Sequence, residues 1–337
     1  MIWHLFDLKK HLQCDAMPRR VAVAWSGGAD STALLLLLKK AGFDVVAWHV
    51  DHGWHSESCT QANDLRKQAQ GWGIPFFLVT LNKPLRSLEA ESRNMRYDAF
   101  AKLAKQQRRF HLALGHHADD QAETVCMRLL QGSGVAGCQG MRLHRQQGEL
   151  HLWRPMLGIS RLHIEQYLCE QGVAWLQDPS NFDCLLWRNK IRHQLFPKIQ
   201  AYGENPQRLF LRIQKQAKRV QAEIEALAKH IHIRCKDSDN KGKDNRGCSV
   251  SWASWCMQSE VVRVYVLQKM IGILFANSKV FGRKHFTAIE QWKKHGAHGW
   301  VSLSGCYLQK QGDQLWLFKG YKGAEKYNSH QRIEVKS

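Results

Sequence analysis

Between residues 20 and 131 the chain alternates short apolar runs with longer amphipathic stretches. Val21–Trp25 is apolar throughout and reads as a buried strand. Thr32–Lys40, with five consecutive leucines, reads as the helix that follows it. The same unit recurs three times. Strand Asp44–Val50 precedes helix Ser58–Trp72, strand Pro75–Thr80 precedes helix Leu88–Gln107, and strand His111–Leu114 precedes helix Asp119–Gln131. Strands alternating with helices at this spacing predict an α/β fold with a doubly wound parallel sheet. In such sheets ligands bind beyond the carboxyl ends of the strands. The three loops richest in reactive groups, Ser26–Ser31, His49–His55 and Gly115–Asp120, each follow a strand and should share one crevice.

The pattern changes after residue 158. Residues 158–200 read as helical and loop segments packed on the first domain. Ile213, Ala217, Val220, Ile224, Leu227 and Ile231 then fall at helical spacing, while Lys215, Lys218, Arg219, Glu223 and Glu225 occupy the other face. This is a long amphipathic helix joining two domains. Residues 234–248 are polar and charged and read as a mobile loop. Residues 250–320 read as a small α+β domain. Its helices lie near Ser259–Phe275 and Arg283–Lys294, and its hairpin pairs Cys306–Gln309 with Gln314–Phe318 around Gly312-Asp313. The expected layout is a first domain over 1–210, a linker helix and basic loop over 211–249, and the small domain over 250–337. There is no internal repeat.

Composition narrows the function classes. No run of 18 apolar residues exists, so no membrane span is expected. The N-terminus lacks the apolar core and cleavage site of a signal peptide, so a cytoplasmic location is expected. Ten cysteines occur without a CxxC pair, which argues for reduced, structural thiols and against a zinc ribbon or sulfur cluster. The net charge is +20, with 26 basic against 19 acidic residues in 1–210 and 23 against 10 in 211–337. That excess favours a polyanionic partner such as nucleic acid, most strongly in the C-terminal part.

The segment Ser26-Gly27-Gly28-Ala29-Asp30-Ser31 is a strand-to-helix turn with two glycines and two serines. Glycines permit close backbone approach, and helix N-terminal amides attract phosphate. It is not a Walker loop, because Asp30 stands where that loop has lysine. An acid beside bound phosphates calls for a divalent cation between them, with Asp30 as its ligand. His49, Asp51, His52, Gly53 and His55 have two readings, a metal site or the wall of a nucleotide pocket, and the same choice holds for His116-His117-Ala118-Asp119-Asp120. A dinuclear metallohydrolase built from both clusters leaves the glycine loop unexplained. Asp119 occupies an expected N-cap position. Asp120 and Glu123 fall on one helical turn with His116 just before it, a cluster suited to binding an ammonium group and accepting its proton. Glu89 and Arg93 are four apart, and Arg93, Arg96 and Tyr97 share a helical face, where guanidinium groups suit phosphate. Asp178-Pro179-Ser180-Asn181 and Arg188-Asn189-Lys190-Ile191-Arg192 form a further polar and basic stretch.

SGGADS resembles the pyrophosphate loop of the N-type ATP pyrophosphatases, the PP-loop superfamily with its adenine nucleotide α-hydrolase-like fold. That resemblance implies cleavage of ATP between α- and β-phosphates and adenylation of a substrate. SGGADS, HVDHG, EAESRNMRY, GHHADDQAETVCMRLLQGSGVAG, RPML, DPSN and RNKIR together, in this order, resemble the bacterial tRNA(Ile)-lysidine synthases, strongly over residues 20–200 and more weakly beyond.

The resemblance implies a carbon–nitrogen ligase that modifies the wobble cytidine of the CAU anticodon of an isoleucine tRNA. ATP adenylates the cytosine, and the ε-amine of free L-lysine displaces AMP, shifting decoding and charging from Met to Ile. By resemblance, Ser26, Gly27, Gly28, Ala29, Asp30 and Ser31 bind ATP, Asp30 lies near Mg2+, and His49, Asp51 and Gly53 frame the adenosine. Asp30, His116 and Asp120 are the catalytic candidates. Glu123, Arg93, Arg96, Arg188 and Arg192 face substrate or tRNA, and the basic C-terminal part holds the tRNA body. No motif fixes the oligomeric state, and a homodimer stays open. Ser92 stands where the family often has alanine. The short C-terminal region leaves open how the methionine tRNA with the same anticodon is rejected. The nearest rival is a tRNA thiolase, which often carries the CxxC absent here. A glutamine-fed amide ligase would need a further domain, and a non-catalytic nucleotide-binding module would need only the loop.

Overall fold

The computed structural model describes residues 18–51, 58–81, 89–176, 187–236, 246–275, 282–303, 305–319 and 332–334. The chain forms two compact units that divide between Lys218 and Arg219. The division falls inside one helix, Pro206–Leu227, which begins seven residues before the periodic stretch that predicted it.

In the first unit the strands are β1 (Arg20–Ala24), β2 (Asp44–Asp51), β3 (Phe76–Thr80), β4 (His111–Ala113), β5 (His144–Gln147) and β6 (Leu150–Trp153). They form one sheet in the order β3-β2-β1-β4-β6-β5. Every pairing from β3 to β6 is parallel, and β5 pairs antiparallel with β6 at the edge. Edge strand β5 was not legible in the pattern, because its sequence HRQQ is largely exposed and carries no apolar alternation. The uniform apolarity of β1 has a direct cause. Val21 and Val23 face one core with Leu34, Leu38 and Trp153, and Ala22 faces a second with Trp48, Phe100 and Leu112. Each buried leucine or valine contributes about 1.5–3 kcal/mol relative to exposure.

The helices of this unit used below are α1 (Ala29–Lys40), α2 (Ser58–Gly71), α3 (Glu89–Gln107), α4 (Ala118–Leu130) and α5 (Arg161–Glu170), then the short helix Trp187–Lys190 and the π-helical turn Ile191–Leu195. Helix α1 starts three residues before Thr32. Gly28 holds the extended N-cap position, and Asp30 in the first turn suits the positive end of the helix dipole. Sheet order reverses between β1 and β4, so the loops after these two strands open a switch-point crevice.

The second unit is built on β7 (Arg234–Lys236), β8 (Gly247–Ser251), β9 (Trp300–Leu303), β10 (Cys306–Gln311), β11 (Gln314–Lys319) and β12 (Arg332–Glu334), in the order β12-β9-β10-β11-β8-β7. Helices Glu260–Leu274 and Arg283–Lys294 contribute Met270, Ile271, Phe286 and Ile289 to its core. The β10–β11 hairpin turns at Gly312, whose φ of 57° is the left-handed conformation a tight turn needs. Residues 234–248 are not one loop. β7 and β8 occupy both ends and pair antiparallel, Cys235 opposite Cys248. Only Cys248 and Val250 alternate into the core there, too few apolar positions to betray a strand. Residues 237–245 lie outside the described residues. Among the described residues no helix is long and apolar enough to cross a membrane, and no disulfide joins the described cysteines.

Candidate active site

The Ser26–Ser31 loop is held from within. The Ser26 amide donates to Ser31 Oγ at 3.1 Å, the two hydroxyls lie 3.1 Å apart, and Ser31 Oγ donates to the Gly28 carbonyl at 3.2 Å. Trp25 Nε1 donates to Thr32 Oγ1 at 2.9 Å, tying the strand end to the helix start. Gly27 adopts φ of 85°, and an added Cβ there would meet Leu176 and Leu65 side chains at 2.7 and 2.8 Å. The turn therefore requires glycine. Ala29 is buried at the first turn of α1.

The loop after β4 packs directly on this turn. A Cβ on Gly115 would sit 3.0 Å from both Asp30 C and Ser31 N, so the bare backbone allows the approach. His117, not Asp119, caps α4. Its Nδ1 accepts from the Asp119 amide at 3.2 Å, and its own amide donates to Asp120 Oδ2 at 3.0 Å, forming a capping box. Asp119 Oδ2 accepts from the Arg161 amide at 2.9 Å and lies 3.4 Å from His117 Nδ1.

His117 is the junction of the site. Its Nε2 lies 3.6 Å from Asp30 Oδ2 and 3.4 Å from Asp120 Oδ2. Burial alone pushes the imidazole pKa down, but the hydrogen bond to Asp119 and the charges of Asp120, Asp30 and Asp119 outweigh it, and the net shift is upward. As cap acceptor Nδ1 is unprotonated, whereas the three carboxylates favour the imidazolium. The cap contact is long, so the carboxylates set the direction. Asp30 is itself raised by burial, in part offset by His117. Its Oδ1 is buried without a hydrogen-bond partner among the described residues.

A second layer of charge lies behind Asp120. Arg192 Nε donates to Glu123 Oε1 at 2.7 Å, and Arg192 Nη2 and Arg188 Nη1 stand 3.9 and 3.8 Å from Asp120 Oδ1. Arg188 Nη2 also donates to Thr124 Oγ1 at 3.1 Å. Burial raises the pKa of Asp120, but His117, His116 and Arg188 reverse the shift and hold it low. Burial keeps Glu123 raised despite Arg192, and its Oε2 is buried with no hydrogen-bond partner among the described residues. Arg192 stands on the π-helical turn, a distortion frequent at functional sites.

His116 points elsewhere. Its Nδ1 accepts from Arg154 Nε at 3.3 Å, and Arg154 Nη1 donates to the Arg142 carbonyl at 2.9 Å. Burial, with the charges of Arg154, Arg188 and Arg93, pushes the His116 pKa down to about 3. The ring is neutral at pH 7, and its free proton is on Nε2. Arg93 stacks over Tyr97, 5.5 Å from the ring centre, and Arg96 is exposed on the same helix. His49 Nδ1 donates to the Trp25 carbonyl at 2.8 Å, with burial lowering its pKa, and Asp51 is buried at the end of β2. Gly53, His52, His55 and Asp178–Asn181 lie outside the described residues.

The structure thus brings Asp30, Asp120, Glu123, Arg188 and Arg192 together around His117, with His116 at the side of this group. Sequence reasoning named His117 only within the His116–Asp120 cluster, without a role of its own, and gave Arg154 none. The signal for His117 was its place one residue before Ala118, where the helix begins; Arg154, in RPML, carried none. Among the described residues, no group of three His, Cys, Asp or Glu side chains is placed to hold a metal ion.

A PP-loop domain family matches residues 6–199. A tRNA(Ile)-lysidine synthase of Nostoc sp. is 37% identical over 229 residues, 66% of this chain and 64% of that protein. One from Chlamydia pneumoniae is 32% identical over 306 residues, 89% of this chain and 90% of that protein. Among solved structures, the U34-tRNA thiolase NcsA of Methanococcus maripaludis superposes with a TM-score of 0.52 at 17% identity, covering 63% of this chain and 76% of that one, a likeness of fold alone. Fold, loop and family match define the class, a PP-loop ATP-binding domain. Within that class, the chain belongs to the tRNA(Ile)-lysidine synthase family. The match covers just under two thirds of the Nostoc protein and nearly all of the chlamydial one.

Proposed function

We propose that the protein uses ATP and free L-lysine to convert the wobble cytidine of a CAU-anticodon isoleucine tRNA into lysidine. The observation that carries this reading is the His117 contact to both Asp30 and Asp120. It makes the phosphate loop and the carboxylate–arginine cluster two walls of one crevice, as successive adenylation and amine attack require.

Cytosine's carbonyl oxygen is a poor leaving group and must be activated. It attacks the α-phosphorus, pyrophosphate leaves, and the oxygen becomes part of an adenylate. The lysine ε-amine then adds at carbon 2, AMP departs with that oxygen, and the amine gives up its proton. The loop amides and the Ser26 and Ser31 hydroxyls suit the β- and γ-phosphates. Arg188 and Arg192 offer guanidinium forks to phosphate charge. Asp120 and Glu123 offer carboxylates to the lysine ammonium; Asp120, held ionised, suits its charge, and Glu123, raised by burial, is the stronger base of the two. His49 and Asp51, at the end of β2, suit the adenosine.

Mg2+ fits at Asp30. The buried Oδ1 has no hydrogen-bond partner among the described residues, and one protein carboxylate plus phosphate oxygens is a usual Mg2+ environment. The ion would neutralise phosphate charge there.

The test is adenylation without lysine. With α-labelled ATP and the isoleucine tRNA, label should accumulate on the tRNA and be discharged as AMP once lysine is added. Label that never reaches tRNA contradicts the proposal.

A further inference from the structure

On the face of the second unit's sheet turned away from its core, two cross-strand rows run from β7 to β9. In the first, Arg234 is in register with Ser249, Ser249 with Trp316, Trp316 with Gln309, and Gln309 with Trp300. In the second, Lys236 stands opposite Gly247, Gly247 opposite Phe318, and Phe318 opposite Tyr307. Residues directly opposite in an antiparallel pair share a face. The intervening positions, Cys248, Leu308, Leu315 and Leu317, are fully buried in the core on the other side.

A solvent face of an antiparallel sheet normally carries polar side chains. This one carries four half-buried aromatic rings in a continuous run. Trp316 and Phe318 stack at 5.5 Å, Phe318 and Tyr307 at 5.2 Å, and Tyr307 meets Trp300 edge-on at 6.2 Å. A Cβ at Gly247 would fall 2.8 Å from Phe318 Cδ1, so the ring lies against bare strand. From β7 to β9 the rows contain no carboxylate. At the β7 edge they end on the exposed cations Arg234 and Lys236; at the β12 edge Arg332 is in register with Trp300, and Glu334 with Ser302. Asp313, at the hairpin turn, is engaged by Ser251 Oγ at 3.0 Å and the Ala253 amide at 3.1 Å.

Aromatic rings interleaved with an amide and flanked by cations form the composition of a base-stacking surface. We infer that this sheet face binds unpaired nucleotides of the RNA substrate, bases on the ring row and backbone phosphates at Arg234 and Lys236. The inference rests on the proposed tRNA reading and adds to it the surface and the mode of contact. The positive balance of residues 211–337 supplies the charge complementarity.

The test uses the full chain and a labelled isoleucine tRNA transcript, with affinity read by fluorescence anisotropy across a salt series. Trp316→Ala should weaken binding about tenfold at every salt concentration, the scale of one lost base stack. Trp316→Phe should restore most of it. Arg234→Ala should reduce the salt slope by about one phosphate contact. AMP formation at saturating tRNA should be unchanged in all three. Wild-type affinity in Trp316→Ala, with the wild type binding and modifying tRNA, overturns the inference and leaves the proposed function standing. A variant that loses self-association in sedimentation but keeps its tRNA affinity overturns it in favour of a contact between copies. A wild type that neither binds nor modifies tRNA overturns both. If Trp316→Ala does not fold, an unchanged salt slope in Arg234→Ala overturns it.

Discussion

His117 Nε2 lies 3.6 Å from Asp30 Oδ2 and 3.4 Å from Asp120 Oδ2, so one buried imidazole couples the phosphate loop to the carboxylate–arginine cluster. The same residue caps α4. Structure and chemistry meet in one side chain, and substitutions there should separate the two.

His117→Ala should lose both roles. Removal of an N-cap costs about 0.5–2 kcal/mol, read as a lower urea midpoint. His117→Asn restores a capping acceptor and should recover most of that stability, while ATP-dependent AMP formation stays low. Full activity in His117→Asn would confine His117 to capping.

Asp30→Asn keeps the shape of the loop and removes its charge. Pyrophosphate release should fall by about 10²–10³-fold, the scale of one lost electrostatic stabiliser at a reacting centre. Unchanged release would remove Asp30 from the chemistry.

Gly115→Ala puts a methyl 3.0 Å from the backbone of Asp30 and Ser31. The loop must shift, and misplacement at a reacting site is costly. The KM for ATP should rise by about tenfold, with a smaller change in the urea midpoint. An unaltered KM would mean that the β4 loop does not position the phosphates.

Arg192→Ala leaves Glu123, which is raised by burial, without its hydrogen-bonded cation. Breaking a fully buried pair costs about 3–5 kcal/mol, and partial exposure of Arg192 reduces this to about 2 kcal/mol. Adding Glu123→Gln should return part of the loss, because the amide is neutral. Equal urea midpoints for the single and double variants would exclude the pair as the cause.

His116 governs an acid-side effect. An unfolded histidine takes up a proton near pH 6.5, whereas folded His116 does so at about pH 3. Between these values the unfolded chain holds more protons, so this contribution is intact above pH 6.5 and is lost as pH falls towards 3. His116→Gln should therefore lose less stability than the wild type between pH 7 and pH 4.5, read from paired urea midpoints.

The sequence pattern disclosed β1 to β4, their helices and the β10–β11 hairpin, because each is marked by a buried run or a strong turn. It did not disclose β5, β6, β7, β8, β9 or β12: β5 and β7 are exposed edge strands, β6 and β9 are only four residues long and β12 three, and β8 buries a glycine and a serine beside its two apolar side chains. The phosphate loop was legible because its glycines and serines have no cheaper structural purpose. The choice between His116 and His117 was not. Adjacent residues at a helix start diverge by the details of capping, and only the packing of Gly115 on Asp30 and Ser31 decides which imidazole meets the loop.

The most direct measurement is transfer of labelled lysine. Purified protein, ATP, Mg2+ and labelled lysine are mixed with isoleucine tRNA bearing CAU, and in parallel with methionine tRNA. The account predicts label on the isoleucine tRNA alone, with one AMP and one pyrophosphate released per lysine joined. ATP split to AMP and pyrophosphate with no lysine on either tRNA would contradict it and point to another nucleophile, sulfur first.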